Sequence, residues 1–213
     1  MSEKRTEVTP ELEAFMAPYW ATVDPRITAI QDDIHARQKY PMQISLEQVA
    51  LHGWLCRLIE ARRVLEVGTY LGLSATAFAL SLPDDGHVDT VEIDNDHADI
   101  AEEWFRRHRI ESRITVHRGS ALDVVPGLPG PYDLCFLDGY KPDNRALMEM
   151  CIERTRPGGL ILVDNVFNDG NVVTGSDAGA AGARDALELG RVSKELDSVV
   201  VPVADGLLVS RRL

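Results

Sequence analysis

A chain of 213 residues, 45% hydrophobic and 26% charged, is long enough to bury its own core without disulfides, and it carries no repeat or biased tract. Its formal net charge of −12 argues against a nucleic-acid backbone or an anionic membrane surface as partner, and no apolar run approaches the roughly 18 residues of a spanning helix. Cys56, Cys135 and Cys151 form no Cys-x-x-Cys pair, and Met1 to Pro10 is too polar for a signal peptide, so free thiols in a reducing cytoplasm are expected.

The first third of the chain reads as helical. Leu12, Phe15, Met16 and Tyr19 recur at helical spacing, and a second stretch runs from about Pro25 to Gln38, with Pro25 suited to a first turn. Lys39-Tyr40-Pro41 is a break. Ser45 then stands as an N-cap with Gln48 as its capping-box partner, opening a helix to about Ala61. Beyond it, strand patterns at Val64–Val67, His87–Ile93, Arg113–His117, Tyr132–Leu137 and Leu160–Val163 alternate with helical patterns at Ser74–Leu82, Asp96–His108 and Asn144–Thr155. Asp169 to Gly182 reads as a mobile loop, followed by a helix over Ala180–Glu195. Strands Ser198–Val203 and Leu207–Ser210 flank Asp205-Gly206, a hairpin-turn dipeptide. Alternating strands and helices imply a parallel α/β sheet, with the last hairpin adding an antiparallel strand at or near one edge. One domain is expected, with residues 1–61 as N-terminal helices and 62–213 as the ligand-binding core.

The stretch Glu66-Val67-Gly68-Thr69-Tyr70-Leu71-Gly72-Leu73-Ser74 follows the first strand and opens a helix, where a doubly wound sheet approaches a nucleotide. The glycines at 68 and 72 let backbone come close to a ligand. Their spacing is neither the dinucleotide fingerprint nor a P-loop, which disfavours a nicotinamide dehydrogenase. Glu92 ends the second strand, where a carboxylate can accept hydrogen bonds from both ribose hydroxyls. A ribose without a pyrophosphate points to S-adenosylmethionine, whose sulfonium is at ease among acidic groups.

Phe136-Leu137-Asp138 ends the fourth strand and Leu162-Val163-Asp164-Asn165 the fifth. In a parallel sheet both ends emerge on the edge that carries the glycine loop, and neighbouring strands lie about 4.8 Å apart. Asp138, Asp164 and Asn165 can therefore converge as oxygen ligands of a hard cation: Mg²⁺, with Ca²⁺ and Mn²⁺ left open. Each is also an ordinary turn former. Lys141 stands where a dication and a sulfonium would depress its pKa, which suits a general base or an oxyanion-stabilising group. The six histidines show no ligand spacing and are expected to be structural or exposed.

Three segments carry a family resemblance: Val64 to Ser74, Phe136-Leu137-Asp138-Gly139-Tyr140-Lys141, and Gly158 to Val166. With them, from about Pro41 to Arg212, the chain resembles the cation-dependent O-methyltransferases, the group containing catechol and caffeoyl-coenzyme A O-methyltransferases. The resemblance implies a Rossmann-like, seven-stranded class I methyltransferase sheet with an N-terminal helical addition. It implies cofactor contacts from Glu66, Gly68, Tyr70, Ser74 and Glu92, from the Gly119-Ser120-Ala121 loop, and from Met42, which is similar to a segment lying over cofactor and metal. It implies Asp138, Asp164 and Asn165 as metal ligands, with Asp138 and Lys141 at the chemistry, a small hydroxylated aromatic acceptor, and a homodimer. The chain departs from the caffeoyl-coenzyme A branch at Gly139-Tyr140, where that branch carries Ala-Asp, and Pro142 to Arg145 holds an extra residue. Two other readings stand beside this one: a metal-independent methyltransferase on the same fold, and a non-catalytic cofactor-binding protein.

Overall fold

The computed structural model describes residues 6–20, 24–37 and 42–213; the expected break at 39–41 and the extreme N-terminus lie outside them. Three helices come first: α1 (Pro10–Trp20), α2 (Pro25–Ala36) and α3 (Leu46–Leu58). Their starts follow local chemistry. Asp24 accepts the Arg26 N–H ahead of Pro25, and Ser45 and Gln48 form the reciprocal capping box. Ile27, Ile30 and Ile34 give α2 a buried stripe at helical spacing, whereas α1 buries none of its residues.

The core then alternates β1 (Arg63–Val67), α4 (Leu73–Ser81), β2 (His87–Glu92), α5 (Asn95–Arg107), β3 (Ile114–Arg118), α6 (Ala121–Val124), β4 (Tyr132–Leu137), α7 (Asn144–Arg154), β5 (Thr155–Val163), α8 (Ala178–Val192), β6 (Leu196–Val201) and β7 (Leu207–Arg212). All seven strands form one sheet in the order β3-β2-β1-β4-β5-β7-β6. Every pairing from β3 to β5 is parallel; β7 runs antiparallel to both β5 and β6. The α/β sheet expected from the sequence is thus present, with its one reversed strand second from the edge. Successive residues of a strand serve opposite faces. Leu134 and Phe136 pack with α2, α3, α4 and α5, while Cys135 and Leu137 pack with α7 and α8. All three cysteines are free and buried in these two layers.

Several boundaries differ from the sequence reading, each for a tertiary reason. β5 starts at Thr155, five residues before Leu160, because Thr155 already pairs with Tyr132 and the Arg156–Gly159 stretch is taken up as a register irregularity before Leu160 pairs with Leu134. In the hairpin the second strand starts at Leu207 as expected, but the first ends at Val201, two residues earlier than read. Residues 202–206 form a longer loop with Ala204 and Gly206 at positive φ, and its Asp205 reaches the site. The last five residues of the expected 169–182 loop already belong to α8, capped by Asp177 accepting from Ala180 N–H. The short α6 was not foreseen, since one turn of helix has no periodicity to read.

Gly182 on α8 is where a helix touches the site. A Cβ there would run into the backbone carbonyl of Lys141. Alanine would gain about 1 kcal/mol of helix propensity, but overpacking costs about 1–3 kcal/mol, at the upper end where the obstacle is backbone. Gly182→Ala is therefore expected to lower the melting temperature by a few degrees, roughly 2–4 °C per kcal/mol at this size. An unchanged or raised melting temperature would show that the Lys141 turn is free to move.

Candidate active site

The strand ends are held abreast by backbone hydrogen bonds that continue one step past the strands. Gly68 N–H donates to Val91 O, Asp138 N–H to Val67 O, Asp164 N–H to Leu137 O and Gly119 N–H to Glu92 O. One row thus carries Glu92, Gly68, Asp138 and Asp164, with Gly119 one residue beyond it on the β3 side. β1 and β4 are the neighbours at which the strand order reverses, the position where open α/β sheets bind ligands. Gly68 makes the row possible: its φ is +98°, and a Cβ there would stand 2.5 Å from Asp138 O. Above the row opens a cavity of about 780 Å³.

On one side of the cavity, Glu92 is buried and doubly anchored. One carboxylate oxygen accepts the Tyr70 N–H at 2.7 Å and the other the Asp94 N–H at 2.9 Å. Each keeps a lone pair for a further donor. Tyr70, at φ +49°, packs edge-on against His97, 4.9 Å between ring centroids. Gly119, Ser120 and Ala121 line the same side, and Met42 lines the wall contributed by the segment before α3.

On the other side stand the acids. Asp138, Asp164 and Asn165 all line the cavity, with Lys141 beside them. Lys141 Nζ lies 3.0 Å from Asp138 Oδ1. Asn165 has φ +53°, a conformation that asparagine tolerates well. Burial pushes the Asp138 carboxyl up to about 6, against the pull of Lys141 and with the help of the Asp164 charge. Asp164, only 2% exposed, is raised by burial as well, opposed by the Asn165 N–H and Gln48 and helped by Asp205. Six carboxylates, from Glu92, Asp138, Asp143, Asp164, Asp169 and Asp205, face a single lysine among the described lining residues. A half-buried Asp138, a buried Asp164 whose charge raises it, and Asn165 along the same cavity wall offer an oxygen donor set suited to a hard dication.

Three of the expected cofactor residues do not line the cavity. Glu66 is fully buried two residues before Gly68, where Thr90 donates to its Oε2 at 2.5 Å and Ser74 is also bonded to it; its Oε1 has no partner. Ser74 is thus a partner of Glu66, and Gly72 is a packing residue whose Cβ would come within 2.7 Å of the Phe105 ring. Several lining residues escape the sequence reading, among them Tyr140, Asp205, His97 and Gln48. Tyr140 stands 71% exposed at the mouth, and Asp205 sits in what read only as a turn. His97 was expected to be structural or exposed, and its place one turn into the helix after Glu92 was the available signal. Gln48 reads in the sequence only as a capping partner.

A family model described as O-methyltransferase matches residues 24–213. The catechol O-methyltransferase of Mycobacterium tuberculosis is 34% identical over 90% of this chain and 88% of its own length. Caffeoyl-CoA O-methyltransferase 1 of Eucalyptus globulus is 27% identical, with 86% of each chain covered. The crystal structure of an O-methyltransferase from Bacillus cereus in complex with SAH superimposes with a TM-score of 0.88 at 26% identity, covering 95% of this chain and 97% of that one. The sheet, its reversed strand and its helical layers are those of the class I methyltransferases.

The half-satisfied Glu66 makes stability depend on pH. Burial holds its carboxyl up at about 8, above the ordinary 4.5, although Ser74 and Thr90 pull it down. With the folded pKa raised, the stabilisation is full below 4.5 and lost as pH rises through 8. Glu66→Gln does not titrate. In ligand-free urea denaturation between pH 5 and 8.5, its stability relative to the parent is expected to rise by a few kcal/mol, at ~1.4 kcal/mol per pKa unit. A difference that stays flat with pH would refute a neutral Glu66.

Proposed function

The chain belongs to the O-methyltransferase family, and we propose that it methylates a hydroxyl of a small catechol-like or vicinal-diol acceptor, taking the methyl from S-adenosylmethionine and holding a divalent cation on Asp138, Asp164 and Asn165. The observation that carries this reading is one cavity that joins a ribose-sized carboxylate edge at Glu92 to an oxygen-only donor set beside Lys141. Mg²⁺ is the first choice, with Ca²⁺ and Mn²⁺ next.

Glu92 accepts the two ribose hydroxyls on its remaining lone pairs, fixed in place by the Tyr70 and Asp94 N–H groups. Gly68 offers backbone without a Cβ, Gly119-Ser120-Ala121 flank the base, and Met42 covers the reacting end. Glu66, Gly72 and Ser74 act from behind, shaping the loop that bears Gly68 and Tyr70. When bound, the cofactor supplies an electrophilic methyl on a sulfonium, and the dication lowers the pKa of an acceptor hydroxyl from about 10 for a free phenol. The acidic wall favours both cations.

Lys141 takes the hydroxyl proton at Nζ in its neutral form, or steadies the oxyanion in its charged form. Asp138 positions Lys141 through their 3.0 Å contact. Holding acceptor and methyl at near-attack distance supplies much of the acceleration. A homodimer belongs to the same reading and is supported by exposed apolar side chains on the N-terminal helices, Phe15, Tyr19 and Trp54.

Turnover is expected with labelled cofactor and a panel of catechols, and it should vanish in EDTA and return with Mg²⁺. Asp164→Ala should lose at least about 100-fold in kcat/KM, the scale of one removed electrostatic group; full activity in EDTA would favour the metal-independent reading. Lys141→Met should lower kcat by about 10²–10⁴-fold while leaving the affinity for S-adenosylhomocysteine nearly unchanged. Equal losses in both would make Lys141 a binding group.

A further inference from the structure

Gln48 does more than cap α3. Its backbone N–H donates to Ser45 Oγ at 3.2 Å, and its Oε1 accepts the Ser45 N–H at 3.0 Å. That leaves Nε2, which donates to Asp164 Oδ1 at 2.8 Å, across 116 residues of sequence. The orientation of the amide is forced: reversed, it would set a carbonyl against a carboxylate and an NH₂ against an N–H. Gln48 is 2% exposed, so the bond is not shared with bulk water. The same Oδ1 also accepts the Asn165 N–H at 2.9 Å. Two donors saturate Oδ1 and leave Oδ2 as the oxygen of Asp164 with lone pairs to offer.

We propose that Gln48 is a positioning residue that locks Oδ1 so that Asp164 offers a cation its Oδ2 alone, and that the same bond couples cation binding to the placement of Met42 to Ser45 along the cavity. This rests on the cation site proposed above. The segment and the ligand are tied through one side chain: Met42, Gln43, Ile44 and Ser45 line the cavity, and Ser45 is bound to Gln48 at both its backbone and its hydroxyl. A cation that orders Asp164 therefore orders the segment, and by linkage an ordered segment raises cation affinity by the same factor. Neighbours that orient a ligand in this way typically govern about 10–100-fold of metal affinity.

The rival account makes Gln48 a helix cap and nothing more, and Ser45→Ala separates the two. That change removes the serine half of the capping box but keeps the amide on Asp164, whereas Gln48→Met removes the glutamine half together with the bond to Asp164 and keeps the side-chain volume. Mg²⁺ titration by calorimetry should show Gln48→Met weakened about 10–100-fold and Ser45→Ala within about twofold of the parent. S-adenosylhomocysteine titrated without metal should bind both variants within about threefold of the parent, below that range. Hydrogen exchange should show Mg²⁺ protecting the amides of residues 42–48 in the parent and not in Gln48→Met. Should Gln48→Met fail to fold, Gln48→Asn keeps the amide but cannot span both partners, and the same weakening is expected. Unchanged Mg²⁺ affinity in the Gln48 variant, or an equal loss in Ser45→Ala, overturns the proposal while leaving the cation site standing. A parent protein that takes up no Mg²⁺, Ca²⁺ or Mn²⁺ overturns the cation site, and this coupling with it.

Discussion

The site depends on register. Five parallel strands finish within one step of each other, and the backbone bonds that bind them continue through Gly119, Gly68, Asp138 and Asp164. A shift of one residue in β4 or β5 would exchange the two faces of that strand and turn the carboxylates away from each other. Register is itself set by burial: Leu134 and Phe136 belong to one layer and Cys135 and Leu137 to the other, so both faces resist slipping. The pleat that packs the core thus also aims the acids. Gly68 completes the arrangement, because only a residue without Cβ lets β1 end this close to the Asp138 carbonyl.

Collecting acids along one edge has an electrostatic consequence that the fold handles differently at each position. Glu92 has a backbone N–H on each oxygen. Asp164 has two donors on one oxygen, and Asp138 has a lysine. Glu66 has hydroxyl donors on its bonded side and nothing on the other, and it is the carboxyl that burial displaces furthest toward neutrality. The least compensated of these carboxyls, Glu66, lies beside the ligand-binding edge, whereas Asp89, buried at the far end of β2, is bonded by His117 and Tyr132. This is the distribution expected where local stability yields to a function performed on ligands.

The N-terminal helices are part of the site as well as part of the cover. α2 and α3 bury isoleucine, valine and leucine against the sheet, and the segment ahead of α3 ends in a capping box whose glutamine reaches a strand-end carboxylate. Helix initiation, a local event, is in this way joined to the geometry of a ligand set far away in sequence.

Much of this was legible in the chain itself. Strand and helix periods, the glycine turn after β1, Glu92 at the end of β2 and the polar residues closing β4 and β5 all follow from local pattern, because alternation and capping involve residues only a few positions apart. The motifs also sufficed to assign the family and its sheet. Other features could not be read in this way. β7 lies between β5 and β6, which brings Asp205 to the cavity wall although its sequence resembles an ordinary turn. Arg156 to Gly159 has the composition of a loop and yet lies within β5, as the irregularity between its Thr155 and Leu160 pairings with β4. Glu66, Gly72 and Ser74 lie in the glycine segment but behind the wall. Gln48 and Asp164 are 116 residues apart and share a hydrogen bond. In each case the deciding contact is between segments distant along the chain, and such contacts depend on strand order and packing rather than on the spacing of residues within any one segment.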